Sequence, residues 1–380
     1  MASTAGLPPD QSTLQVFEVN GIRMRACCQG DGPLVLLCHG FPESWYSWRH
    51  QIGALADAGY RVVAPDMRGY GGTDAPPDAA SYTMLHHVGD MVALVKALGE
   101  SQAVIVGHDW GAAVAWHAAL LRRDMFRAVA GLSVPYLPPA RTDLLTALEA
   151  KGVRSFYMQY FQAPGVAEAE LEADIEASVR RLYFSMSGDG PDHSVCGVLE
   201  PGCGLLDMTT DPSSLPSWLT AGDVDYFAGE FKRTGFRGGL NWYRNLRRNA
   251  ELLAPWRGCG IAQPSLFIAG SRDDTLKFPG AKDPRDYLPK LLADLRGNHI
   301  IEGAGHWIQQ ERPDEVSRLL LSFLKGLLPA SDAEAGSLSC ARHPPLLAAA
   351  PSLRSPPWPL PRRAGNRRWC WSRAPHRSGA

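Results

Sequence analysis

One aspartate sits where a nucleophile is needed. Gly107-His108-Asp109-Trp110-Gly111 follows an apolar run, Ala103–Val106, and leads into a small-residue helical pattern from Ala112 to Trp116. A strand, then Gly-x-Asp-x-Gly, then a helix makes a turn too tight for flanking side chains and lifts the central side chain above the sheet. A carboxylate there suits displacement at a saturated carbon. It forms an ester whose carbonyl belongs to the protein, and a water can then release the product. A serine would form an ether, which water does not readily cleave. Opening an epoxide and expelling a halide are the reactions that fit. The plainer reading is an aspartate that only caps the following helix.

Ester hydrolysis needs a base. The strand–elbow–helix order is that of the α/β-hydrolase fold, whose acid and histidine follow the nucleophile in chain order, on loops after late strands. His306, in Gly303-Ala304-Gly305-His306-Trp307, directly follows an expected strand over Asn298–Ile301. The orienting acid should follow the strand before it, where Ser271-Arg272-Asp273-Asp274 lies. Asp273 is the favoured acid, to hold the imidazole tautomer and stabilise the imidazolium. Asp274 is its rival, otherwise solvated or capping the next turn. Two backbone N–H groups should stabilise the oxyanion, those of Trp110 and of Phe41 in His39-Gly40-Phe41-Pro42; Pro42 has none to give.

These groups need a sheet to carry them. Leu14–Val19 and Ile22–Cys27, joined at Asn20-Gly21, read as a β-hairpin. Strands are expected over Leu34–Cys38, Tyr60–Ala64, Ala103–Val106, Ala128–Val134 and Pro264–Ala269, with helices such as Tyr82–Leu98, Gly111–Leu121 and Asp314–Leu328 between and after them. The alternation predicts a mostly parallel eight-stranded α/β sheet. It lapses after Pro135, where helix formers and aromatics dominate up to residue 256. The expected organisation is a flexible N-terminus (1–13), a core in two parts (14–135 and 257–329), an inserted helical cap (136–256) and a disordered basic tail (330–380).

Composition narrows the function classes. The N-terminus lacks the basic and apolar regions of a secretory signal, and no apolar run nears the roughly 18 residues of a membrane helix. The eight cysteines form no C-x-x-C pair and no zinc spacing, so a reduced, cytoplasmic setting is expected, with no metal and no cofactor. Residues 340–380 carry eight Arg and eight Pro with no Lys, Asp or Glu; setting these arginines aside takes the net formal charge from −1 to −9. That stretch reads as an extension outside the fold rather than as a nucleic-acid arm.

The motifs resemble a known family. His39-Gly40-Phe41-Pro42-Glu43-Ser44-Trp45-Tyr46-Ser47-Trp48, Asp66-Met67-Arg68-Gly69-Tyr70-Gly71-Gly72-Thr73, the Asp109 elbow and Gly305-His306-Trp307 are similar to those of the α/β-hydrolase-fold epoxide hydrolases over roughly residues 14–329. The resemblance implies two tyrosines of the helical cap that hydrogen-bond the epoxide oxygen. Phe156–Gly165 and Leu240–Asn245 resemble the two segments, giving Tyr157, with Tyr160 as rival, and Tyr243. Chemistry agrees with a pair of phenols, because an opened epoxide leaves as an alkoxide that needs a proton. Trp45, Tyr46 and Trp48 are expected to pack around the oxyanion loop rather than stack on ligand.

The expected activity is therefore conversion of an apolar epoxide and water to a vicinal diol through an ester on Asp109, with no nucleic-acid or membrane partner. Oligomeric state stays open, a homodimer included. A haloalkane dehalogenase is the alternative, but Phe41 offers no side-chain N–H to a halide and the tyrosines would have no task. A ligand sensor on the same scaffold would have no use for the whole set.

Overall fold

The computed structural model describes residues 13–192 and 197–327. The expected tail at 330–380 and nearly all of the expected flexible N-terminus lie outside the described residues. The hairpin strands β1 (Leu14–Val19) and β2 (Ile22–Gln29) are followed by β3 (Leu34–Cys38), β4 (Arg61–Pro65), β5 (Ala103–His108), β6 (Phe126–Leu132), β7 (Ile261–Gly270) and β8 (Leu292–Ile301). Together they form one eight-stranded sheet in the order β1-β2-β4-β3-β5-β6-β7-β8. The pairs β1–β2 and β2–β4 are antiparallel, and the rest of the sheet is parallel. Asn20 and Gly21 both have positive φ, as the two-residue turn requires. In the middle of the sheet β3 and β5 are buried along their whole length, which is why they read as unbroken apolar runs.

Several boundaries differ from the expected ones for local reasons. Tyr60 precedes β4 because its N–H bonds Leu55 O, closing the preceding helix. The sixth strand runs two residues earlier than expected and stops at Leu132, where Ser133 turns the chain at φ 64°. Both β7 and β8 are longer than expected, because register shifts around Pro264 and Leu266 blur their sequence pattern.

Helices α1 (Arg49–Asp57), α2 (Met84–Ala97) and α3 (Trp110–Leu121) follow β3, β4 and β5. The stretch between β6 and β7 holds α4 (Leu144–Ala150), α5 (Tyr157–Tyr160), α6 (Val166–Leu171), α7 (Ile175–Ser185), α8 (Ala221–Thr234), α9 (Arg237–Tyr243) and α10 (Leu246–Leu252), with only one isolated bridge, Phe156–Val198, among its described residues. After β7 come α11 (Pro284–Leu291), α12 (Ile308–Glu311) and α13 (Pro313–Lys325). No described helix is long and apolar enough to cross a membrane.

The helical insert is fastened to the sheet domain by buried polar contacts. Tyr46 stacks on Tyr226 at 4.1 Å and donates to Asp223 at 2.9 Å; Arg49 meets the same carboxylate at 3.2 Å. Arg25 bridges Asp66, beyond β4, and Glu230 of α8. Trp45, Tyr46 and Trp48 are buried, so this aromatic cluster packs the loop. Partly buried pairs of this kind cost several kcal/mol when one partner is removed, because the other charge is stranded.

Candidate active site

Asp109 links β5 to α3 with φ 53° and ψ −121°, a backbone that side chains other than glycine rarely adopt. The flanking glycines make it possible: a Cβ on Gly107 would strike the Gly111 carbonyl, and one on Gly111 would strike the carbonyl of Cys38 on β3. The Asp109 side chain makes no capping bond to α3, so the helix-cap reading does not hold. Instead its Oδ1 accepts the Phe41 N–H at 2.9 Å. Gly40 leaves that approach open, since a Cβ there would run into the carboxylate.

His306 follows β8 on the Gly303–Gly305 loop and is buried. Its Nδ1 lies 3.1 Å from Asp273 Oδ1, and its Nε2 lies 3.6 Å from Asp109 Oδ2. Burial opposes the imidazolium, but the carboxylates of Asp273 and Asp109 outweigh it and push His306 well above its ordinary value. Burial likewise would raise Asp273. His306 and two bonds from Thr275, through N at 2.9 Å and Oγ1 at 2.8 Å, prevail and hold it below the usual carboxylate range.

Asp274 is neither solvated nor the cap of the next turn, as one reading had it. Asp273 caps that turn, while the Asp274 side chain is 14% exposed, pairs with Lys277 at 3.4 Å and has its carboxyl raised by burial.

Tyr157 and Tyr243 come from α5 and α9, and their rings lie 5.9 Å apart. With Asp109 they line one narrow cavity whose remaining walls are chiefly Phe41, Pro42, Phe161, Leu182, Met186, Leu205 and Phe278. Burial, then the nearby Asp109 charge for Tyr157 and the Tyr157 hydroxyl for Tyr243, push both phenols well above the ordinary value. Tyr160, one helical turn away, donates instead to Glu170 at 2.9 Å. Trp110 opens α3, so its N–H is one of the helix's free first donors, and its indole stands edge-on to Tyr243 at 5.1 Å.

Three buried groups escaped the sequence reading. Glu43 accepts the Gly40 N–H at 2.6 Å and meets His108 Nδ1 at 2.8 Å, while His108 Nε2 reaches the His306 carbonyl at 2.8 Å. Burial would raise Glu43, yet His108, His39 and the Gly40 amide hold it at about 2. Glu311 accepts the N–H groups of Gly305, Trp307 and Gly188 at 2.8–2.9 Å, joining the His306 loop to the helical insert. Each has at least one partner far away in the chain, His108 for Glu43, the His306 carbonyl for His108 and the Gly188 amide for Glu311, so no spacing rule could find the set. The only hint was position: Glu43 beside the oxyanion loop, His108 inside the elbow.

Comparison with known proteins places this geometry. Residues 33–313 match the model of the alpha/beta hydrolase fold family. Epoxide hydrolase A of Mycobacterium tuberculosis is 46% identical over 319 residues, covering 83% of this chain and 98% of that protein. Bifunctional epoxide hydrolase 2 of Sus scrofa is 40% identical, over 86% of this chain but 58% of its own length. Among solved structures, an epoxide hydrolase from an endophytic Streptomyces superposes with a TM-score of 0.79 at 48% identity, covering 83% of this chain and 95% of that one. Epoxide Hydrolase A from Mycobacterium thermoresistibile gives 0.78 at 44%, covering 83% and 98%. The elbow aspartate, the late histidine and these likenesses agree, and the chain belongs to the epoxide hydrolases of the α/β-hydrolase fold.

Proposed function

We propose that the protein hydrolyses a small, largely apolar epoxide to a vicinal diol through a covalent ester on Asp109, under a helical cap spanning about residues 136–256. The observation that carries this reading is the pairing of Asp109 with His306 beside a cavity that Asp109, Tyr157 and Tyr243 line together.

Phe41 N–H occupies Oδ1, which leaves Oδ2 as the attacking oxygen. As the C–O bond to carbon forms and the ring C–O bond breaks, the alkoxide takes a proton from the phenols. Their raised pKa keeps both protonated before the reaction and disfavours a lasting phenolate. Esterification removes one of the two charges that held the proton on His306. Only Asp273 then supports the imidazolium, so its proton passes to the phenolate left by the first step, and the neutral imidazole becomes a competent base for water. Water gives one proton to His306 as it attacks the ester carbonyl, and negative charge develops on Oδ1 between the N–H groups of Phe41 and Trp110. On collapse the departing alkoxide oxygen takes the other water proton, which releases the diol and restores the Asp109 carboxylate and the imidazolium.

Single turnover in heavy-oxygen water tests the route. The label is expected in Asp109 and absent from the first diol; label directly in that diol overturns the ester.

A further inference from the structure

The chemistry above uses Asp109, Tyr157 and Tyr243, and Thr275 is committed to Asp273 and to the Ser133 carbonyl. One polar group of the cavity wall is left over. Asp274 sits among Phe278, Met186 and Leu205, its side chain only 14% exposed. Its one hydrogen bond among the described residues comes to Oδ1 from Lys277 Nζ at 3.4 Å, and Oδ2 accepts none. Lys277 is half-exposed on a flexible stem, and so long a pair with an exposed partner holds weakly. A carboxylate in an apolar wall with an unused oxygen is costly against a hydrocarbon and satisfied by a donor.

We infer that Asp274 is a specificity-determining residue, selecting epoxides whose otherwise apolar body carries a hydrogen-bond donor such as a hydroxyl. This rests on the Asp109 reading and adds the substrate class. Purely apolar epoxides leave the Asp274 carboxylate unpaired on entry, whereas a donor-bearing one completes its bonds. The upward push of burial on this carboxyl agrees with a group short of partners.

The test is kcat/KM for a plain aryl epoxide and for its three ring-hydroxymethyl isomers, with wild type, Asp274→Asn and Asp274→Leu. A hydrogen bond to a charged group corresponds to a change of about 10–100-fold. In Asp274→Leu the ratio of the best hydroxymethyl isomer to the plain epoxide is expected to fall by about that factor, through gain on the plain substrate as well as loss on the other. Asp274→Asn, nearly isosteric and still an acceptor, should fall between. A ratio unchanged within about twofold in both variants, with the substrates still turned over, overturns the inference and leaves the Asp109 reading standing. Failure of wild type to open any of the four, with no label entering Asp109, overturns both.

Discussion

His306 Nε2 stands 3.6 Å from Asp109 Oδ2, beyond hydrogen-bond length, and bonds to no other described group. The imidazole proposed as the base is thus held by Asp273 on one side and left unengaged on the side where the proposed water would bind. In the proposed route the same separation would couple the two steps, because a charge at 3.6 Å strongly biases a buried imidazole.

That coupling is measurable. Asp109→Asn removes one of the two carboxylates that raise His306, so its pKa should drop relative to wild type, observed by NMR titration of the imidazole. The sign follows from the causes: burial already works against the imidazolium, and only Asp273 remains to favour it. An unchanged or higher value would mean Asp109 does not govern the base.

Replacing His306 by Gln should permit the first step and stall the second. Intact-protein mass spectrometry after brief exposure to an aryl epoxide is expected to find one substrate mass added, with diol formation down by at least about 10²-fold, the lower range of a lost general base. Asp109→Ala should form neither ester nor diol.

The phenols are expected to share their work. Tyr157→Phe or Tyr243→Phe alone should lower kcat/KM about 10–100-fold, since the other hydroxyl remains, and the double variant should approach the 10²–10⁴ of a lost acid. Tyr160→Phe, which loses only its bond to Glu170, should stay within a few fold. A large effect of Tyr160 with none from Tyr157 would reverse their assignment.

Glu311→Ala strands three buried N–H groups, at about 1–3 kcal/mol each. Denaturant unfolding should register a loss of about 3 kcal/mol or more, and kcat should fall further than stability alone explains as the His306 loop loosens. A variant with full stability and full kcat would show the clamp to be idle.

The sequence was most informative where chemistry and backbone geometry coincide. Gly107 and Gly111 mark the elbow because no Cβ fits there, and Asn20-Gly21 marks the hairpin because both residues need positive φ. It was least informative where a choice depends on a distant partner. Tyr157 and Tyr160 lie on one short helix with the same chemistry, and it is Glu170 that takes up Tyr160. Asp273 and Asp274 are adjacent, and only the fold turns one to His306 and the other to the cavity wall. The ends of β6 and β7 were blurred for a related reason: Ser133 and the shifts near Pro264 answer to neighbouring strands, not to local periodicity.

The His306 amide donates to Met186 O at 2.9 Å, and Glu311 bonds Gly188 in the same turn beyond α7. The His306 loop and the insert therefore share a seam of hydrogen bonds to main-chain atoms, in addition to packed side chains. This limits modularity. A helical insert exchanged between relatives to alter substrate range would have to reproduce the Met186–Gly188 turn, or the graft would misplace a histidine that it does not itself contain. Diversification by loop variation has more freedom on the wall at Leu205, which bonds Glu170 and, among the described residues, carries no bond to the His306 loop.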